Sequence, residues 1–194
     1  MMIPTEPIWK SLIVETKGPI FTPEQCQQII NKGESLKQQQ AEVGSAGPDG
    51  RHDTKKRITT ISWIGFKEMP EMYKVIEDTV VKANNNHFGF DGIQLTEQAQ
   101  YTHYPVGGFY EWHTDNDVIG INQPPVRKIS MTALLSPENE FEGGELELME
   151  KGKRGKLKQG QAIFFASWLP HRVKPILKGE RKSLVMWFGG PPFR

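Results

Sequence analysis

The stretch from Ile93 to Asp115 reads I-Q-L-T-E-Q-A-Q-Y-T-H-Y-P-V-G-G-F-Y-E-W-H-T-D, and its punctuation decides the fold. Tyr104-Pro105-Val106-Gly107-Gly108-Phe109-Tyr110 is a strand end followed by a tight glycine turn. The spacing therefore predicts strands at 94–104 and 109–115 around one corner. The same rhythm runs on to the C-terminal side. Glycine and proline, 19 and 14 in the whole chain, punctuate this half every 8–12 residues, which places further strands at 127–135, 145–150, 155–158, 161–166, 171–177 and 181–189.

Upstream the pattern changes. Thr22 can cap a helix, Pro23 suits its first position, and Gln25 completes a capping box. Ile29, Ile30, Gly33 and Leu36 then keep an apolar stripe to about Gln40. Arg57 to Phe66 reads as a strand. A second helix is expected from Pro70 to Asn86, with Met72, Ile76, Val80 and Ala83 on one face. Gly44 to Lys56 has no apolar period and reads as an exposed loop. Two helices followed by many short strands predict an α+β, mainly β fold, with the N-terminal helices backing one sheet of a sandwich or jelly roll. One domain is expected over 1–194, with helical support at about 20–90 and a β core at about 93–190.

Composition narrows the function. Lys plus Arg is 24 against 23 Asp plus Glu, a net charge of +1. That balance argues against a dedicated nucleic-acid or membrane-surface binder. No apolar run approaches the ~20 residues of a membrane helix. The first residues lack the basic-then-apolar pattern of a signal peptide. Cys26 is the single cysteine, which excludes an internal disulfide and a cysteine metal cluster. These features predict a cytoplasmic protein, and any metal in it is held by His, Asp or Glu.

Of the five histidines, His52, His87, His103, His113 and His171, two stand in suggestive settings. His113-Thr114-Asp115 puts an imidazole and a carboxylate on one face of a strand. Alone, that pair reads as a surface hydrogen bond. His171 follows the apolar segment 162–166 in S-W-L-P-H-R-V. Two imidazoles and one carboxylate form the facial triad that suits non-haem Fe(II), with open positions left for substrates. Arg181, Ser183, Val185 and Trp187 share a face of the last strand by alternation. An internal Arg181 needs a partner, and the neighbouring strand 171–177 has no acidic residue to offer. A ligand carboxylate would fill that role. The alternative is an exposed arginine after the turn Lys178-Gly179-Glu180. Tyr104 can offer a phenol to the same ligand.

The order of these pieces resembles that of the Fe(II)- and 2-oxoglutarate-dependent dioxygenases. Within them the chain is similar to the prolyl 4-hydroxylase-like branch, including bacterial and phage members. The resemblance rests on F-T-P-E-Q-C at 21–26, Y-P-V-G-G-F-Y-E-W-H-T-D at 104–115, F-E-G-G-E-L at 141–146, G-Q-A-I-F-F at 160–165, and P-H-R-V-K-P with R-K-S at 170–183. It implies a double-stranded β-helix. It implies that His113, Asp115 and His171 bind iron, and that Arg181 pairs with the distal carboxylate of 2-oxoglutarate, assisted by Tyr104 and Ser183. Leu134 stands where some animal relatives carry a second co-substrate tyrosine. A carboxylate at position 115, where related halogenases have a small residue, implies hydroxylation. The implied reaction consumes O2 and 2-oxoglutarate and yields succinate and CO2, with ascorbate as reductant.

The expected substrate is a prolyl residue in a peptide or protein. A free amino acid or small metabolite is the alternative. A nucleic-acid oxidase draws support only from the basic runs 51–57 and 151–158. Arg57, Gln100, Trp112 and Trp187 are the candidate substrate contacts, with 44–56 and 116–126 as candidate lids.

Overall fold

The computed structural model describes residues 11–41, 54–116, 124–149 and 156–192. A large antiparallel sheet runs in the order β1 (Ile13–Glu15), β11 (Ala162–Ala166), β8 (Val126–Leu134), β14 (Arg181–Gly190), β6 (Ala99–Tyr104), β4 (Thr60–Ile64), β2 (Gln39–Gln40). The short β5 (Gln94–Leu95) pairs with the far end of β14. A second sheet runs β10 (Leu146–Leu148), β12 (His171–Val173), β7 (Phe109–His113), β3 (Arg57–Ile58). A two-stranded piece joins β9 (Phe141–Gly143) to β13 (Ile176–Gly179). This is the mainly β architecture of a double-stranded β-helix.

Alternation divides the large sheet into two faces. Ile129, Met131 and Ala133 of β8 and Leu184, Met186 and Phe188 of β14 turn toward the helices α1 (Pro23–Ser35) and α2 (Pro70–Ala83). They pack there against Ile29, Ile30, Ile76 and Val80. The opposite face carries Ser130, Thr132, Arg181, Ser183 and Trp187, all buried, and forms the polar inner wall. The expected capping box is present: Thr22 Oγ1 accepts from Gln25 N–H, and Gln25 Oε1 accepts from Thr22 N–H. Gly33 sets how closely α1 docks, because a Cβ there would stand 2.3 Å from the Tyr101 ring.

Several boundaries differ from the sequence reading. The first helix ends at Ser35 rather than near Gln40, because Leu36 turns extended and residues 39–40 pair with the edge of β4. The second ends at Ala83, and Asn84–Phe88 form a wider helical turn closed by Gly89. Residues 57–66 make two strands, β3 and β4, that end at Ile64 and belong to different sheets. The 94–104 strand is broken between β5 and β6. The 171–177 strand is broken at Lys174-Pro175, where proline has no N–H for the ladder. Residues 156–158 form no strand, and 155 lies outside the described residues. The N-terminal part does more than support the core, since β1, β3 and β4 enter the two main sheets.

Candidate metal centre and its pocket

His113 closes β7 and His171 opens β12, and the two are direct Cα partners across the sheet. Their ring centroids stand 4.1 Å apart. Asp115 lies two residues past the end of β7, so strand alternation is not what aims it. The N–H groups of Asp115 and Asn116 both donate to the Ser167 carbonyl, at 2.9 and 3.1 Å, and this bend returns the carboxylate to the imidazoles. Asp115 Oδ1 is 3.7 Å from His113 Nε2, and Oδ2 is 3.5 Å from His171 Nε2. The three donor groups lie within 4.8 Å of one another.

Hydrogen bonding shows what such a cluster requires. His113 Nδ1 is 2.7 Å from the Glu111 carbonyl, and His171 Nδ1 is 3.0 Å from the Leu169 carbonyl. A carbonyl only accepts, so each Nδ1 carries the proton. A neutral imidazole in that tautomer presents a bare lone pair at Nε2, so acceptors face acceptors around one point. The donor set therefore fits a cation, and two nitrogens with one carboxylate suit Fe(II). Burial, reinforced by His171, pushes His113 down to about 4 and keeps it neutral. Burial alone would raise the Asp115 carboxyl. The two imidazoles, Ser130 and the Trp187 indole outweigh it, and the pKa falls below the ordinary value.

Beside the cluster lies a cavity of about 500 Å³, lined by Leu134, Ile163, Leu146, Leu148, Gly144 and Arg181 among others. Leu148 is the Cα partner of His171, which brings the cavity up against the ligands. Arg181 is 3% exposed, so it is the internal arginine and not the surface one. Its neighbours across the ladder are β6 and β8, not the strands of residues 171–177. Tyr104 is its direct partner on β6, with the guanidinium carbon 5.4 Å from the phenol ring centroid. Arg181 Nη1 donates to Ser183 Oγ at 3.1 Å, and burial lowers the guanidinium pKa. No carboxylate pairs with Arg181 among the described residues. Leu134, opposite Ser183, supplies an apolar wall where a tyrosine would reach in. Gly144, at φ +66°, makes the room: a Cβ there would meet Ile176 Cδ1 at 2.3 Å and Arg181 Cδ at 3.0 Å.

The proposed substrate contacts divide. Trp187 is buried beside Asp115, and its indole N–H points toward that carboxylate without completing a hydrogen bond. Gln100 lies on the inner wall and donates to Thr102 Oγ1 at 2.9 Å. Arg57 stands 4.4 Å over the Tyr110 ring, and Tyr110 stacks on His113 with centroids 3.5 Å apart. Trp112 is not brought to the ligands; it sits under Arg172, at 4.9 Å, on the rim of the cavity. The candidate lids at 44–53 and 117–123 lie outside the described residues. Tyr110 was not visible as a site residue from the sequence. By alternation it faces away from His113, but the ladder sets His171–Val173 against His113–Tyr110. The extra residue in β7 turns Tyr110 back.

The fold thus brings two imidazoles and a carboxylate together as a candidate metal centre, near a buried guanidinium that has no carboxylate partner among the described residues. Residues 99–189 match the 2OG-Fe(II) oxygenase superfamily. A PKHD-type hydroxylase of Colwellia psychrerythraea is 32% identical over 133 residues, 66% of this chain and 58% of the relative. One from Hyphomonas neptunium is 38% identical over 84 residues, 42% of this chain and 38% of the relative. The chain thus spans about half the length of the curated relatives it matches. Among solved structures, a viral collagen prolyl hydroxylase from Paramecium Bursaria Chlorella virus-1 superposes with a TM-score of 0.71 at 20% identity, covering 93% of this chain and 97% of that one. A prolyl-4-hydroxylase of Pseudomonas putida gives 0.68 at 20% identity, covering 92% of each. At these identities the likeness establishes the fold.

Proposed function

We propose that the chain is a single-domain Fe(II)- and 2-oxoglutarate-dependent hydroxylase acting on prolyl residues of a peptide or protein. The observation that carries this reading is the acceptor-only cluster of His113, Asp115 and His171 next to a cavity that holds Arg181, the two being linked by Leu148, which lines the cavity and is the cross-strand partner of His171. Bound Fe(II) supplies the redox chemistry by which O2 and 2-oxoglutarate become succinate and CO2 while a substrate C–H becomes C–OH. The chain's own residues then have distinct tasks. The two histidines hold their protons on Nδ1 and offer Nε2, and Asp115 contributes the anionic oxygen. Arg181 receives the distal carboxylate of 2-oxoglutarate, with Ser183 and the Tyr104 phenol beside it. Leu134, Leu146 and Ile163 supply the apolar part of the wall around this pocket.

On the substrate side, Tyr110 and Trp187 offer aromatic surface, Gln100 an amide and Arg57 a guanidinium, with Trp112 at the rim. The compact, largely apolar pyrrolidine ring suits aromatic walls. A solved prolyl hydroxylase of Trichoplax adhaerens, 18% identical, is described in complex with a peptide fragment, which supports a peptide as the substrate class. Ascorbate serves as reductant in this reading. The test is succinate formation from 2-oxoglutarate with Fe(II), ascorbate and O2, with and without proline-containing peptides. The expected result is stimulation by a peptide that gains the mass of one oxygen on proline. Turnover that only a free amino acid or metabolite stimulates moves the substrate to that class. The absence of any Fe(II)-dependent succinate rejects the oxygenase reading.

A further inference from the structure

We infer that Glu97 and Arg127 are a positioning pair that sets the orientation of Asp115 and Trp187; this rests on the reading of His113, Asp115 and His171 as a metal centre. Along β8, Ile129, Met131 and Ala133 turn to the helices, and strict alternation would send Arg127 the same way. The β8–β14 ladder slips between Phe188 and Gly189. Phe188 pairs with Ile129 and Gly189 with Arg127, which leaves Lys128 as the extra residue. A bulge of this kind re-aims the next side chain, and Arg127 is delivered to the inner wall.

Several contacts meet there. Arg127 Nε donates to Glu97 Oε1 at 2.6 Å, and Nη2 pairs with Glu97 Oε2, a two-pronged carboxylate fork. Nη1 reaches the Asp115 carbonyl at 3.4 Å. The guanidinium carbon stands 4.0 Å over the Trp187 ring. Asn116 closes the circuit by donating Nδ2–H to the Arg127 carbonyl at 3.0 Å. Asp115 is the one proposed ligand outside a strand, so no ladder fixes it as it fixes the histidines. Its backbone is held by Ser167 on one side and Arg127 on the other. The Glu97 fork fixes the guanidinium plane, so that its remaining edge faces Asp115 while its surface faces Trp187. Lysine, a point charge without a plane, cannot make the three contacts together.

The test titrates the metal-free chain anaerobically with Co(II), read by its visible absorption, for wild type, E97A, R127M, R127K and the E97A/R127M double variant, with thermal unfolding alongside. Each of E97A and R127M should weaken Co(II) binding about 10-fold and shift the ligand-field bands. The double variant should be no weaker than the worse single one, because the two residues act as one device. R127K should not restore binding. Single variants that bind within about twofold of wild type, or losses that add in the double variant, overturn the pair. Should R127M not fold, E97Q keeps the side-chain shape, removes the charge, and supports the same comparison. A wild type that takes up no Co(II) overturns the metal centre itself, and the pair with it.

Discussion

His113 and His171 are Cα partners across β7 and β12, and each donates Nδ1–H to the carbonyl two residues before it in its own chain segment. Each imidazole is thus braced by local backbone, with both Nε2 atoms aimed before any cation arrives. A carbonyl brace fixes tautomer and ring orientation together.

Metal should therefore stabilise the folded chain without reorganising it. A divalent cation at about 100 times its dissociation constant contributes about 2.7 kcal/mol, which for a chain of this size is roughly 5–10 °C in Tm. Differential scanning calorimetry with Co(II) or anaerobic Fe(II) should show that rise. His113→Ala, Asp115→Ala and His171→Ala should each abolish it. A full shift in any of the three would remove that residue from the ligand set.

Arg181→Met should weaken 2-oxoglutarate binding by about 30–150-fold, from the ~2–3 kcal/mol of a charge-assisted fork. Co(II) affinity should stay near wild type, since Arg181 is not among the donor groups. Calorimetric titration of 2-oxoglutarate into the Co(II)-loaded chain separates the two. An unchanged affinity would place the co-substrate elsewhere.

Gly144→Ala tests the space behind that arginine. The new Cβ would enter a left-handed backbone position and press on Ile176 and Arg181. A loss of about 1–3 kcal/mol in urea unfolding is expected, together with weaker 2-oxoglutarate binding. Wild-type stability and affinity would show that the corner relaxes freely.

Cys26 is fully buried on the inner face of α1, and burial pushes its thiol up to about 11. It should stay protonated and unreactive toward a thiol reagent at pH 8, and react at once in denaturant. Rapid labelling of the native chain would mean that α1 opens readily.

The strands around the Tyr104–Phe109 corner and the helix cap at Thr22 were legible because each depends on local spacing, which glycine, proline and the cap residues carry directly. The meeting of His113, Asp115 and His171 was legible from residue type and motif order alone, since no local spacing joins His171 to the other two. The internal place of Arg181 was legible only as a condition, since alternation says which residues share a face but not which face is buried. Two bulges escaped notice. One extra residue in β7 turned Tyr110 onto His113, and Lys128 in β8 turned Arg127 onto Trp187. A bulge is a mismatch between two strands, and one strand's residues do not record its partner's count. The reason for Asp115's aim was likewise non-local, because the Ser167 carbonyl that bends it belongs to a distant segment.

The pairing of β7 with β12 has a consequence for assembly. The two imidazoles come from segments far apart in the chain, and side chains alternate faces along each strand. A slip of one residue in that single pairing would put one imidazole outside the barrel and leave the other inside. Cation uptake during refolding is then an all-or-none reporter of one strand alignment. Its time course would show when the smaller sheet locks, whatever the larger sheet and its helices have already done.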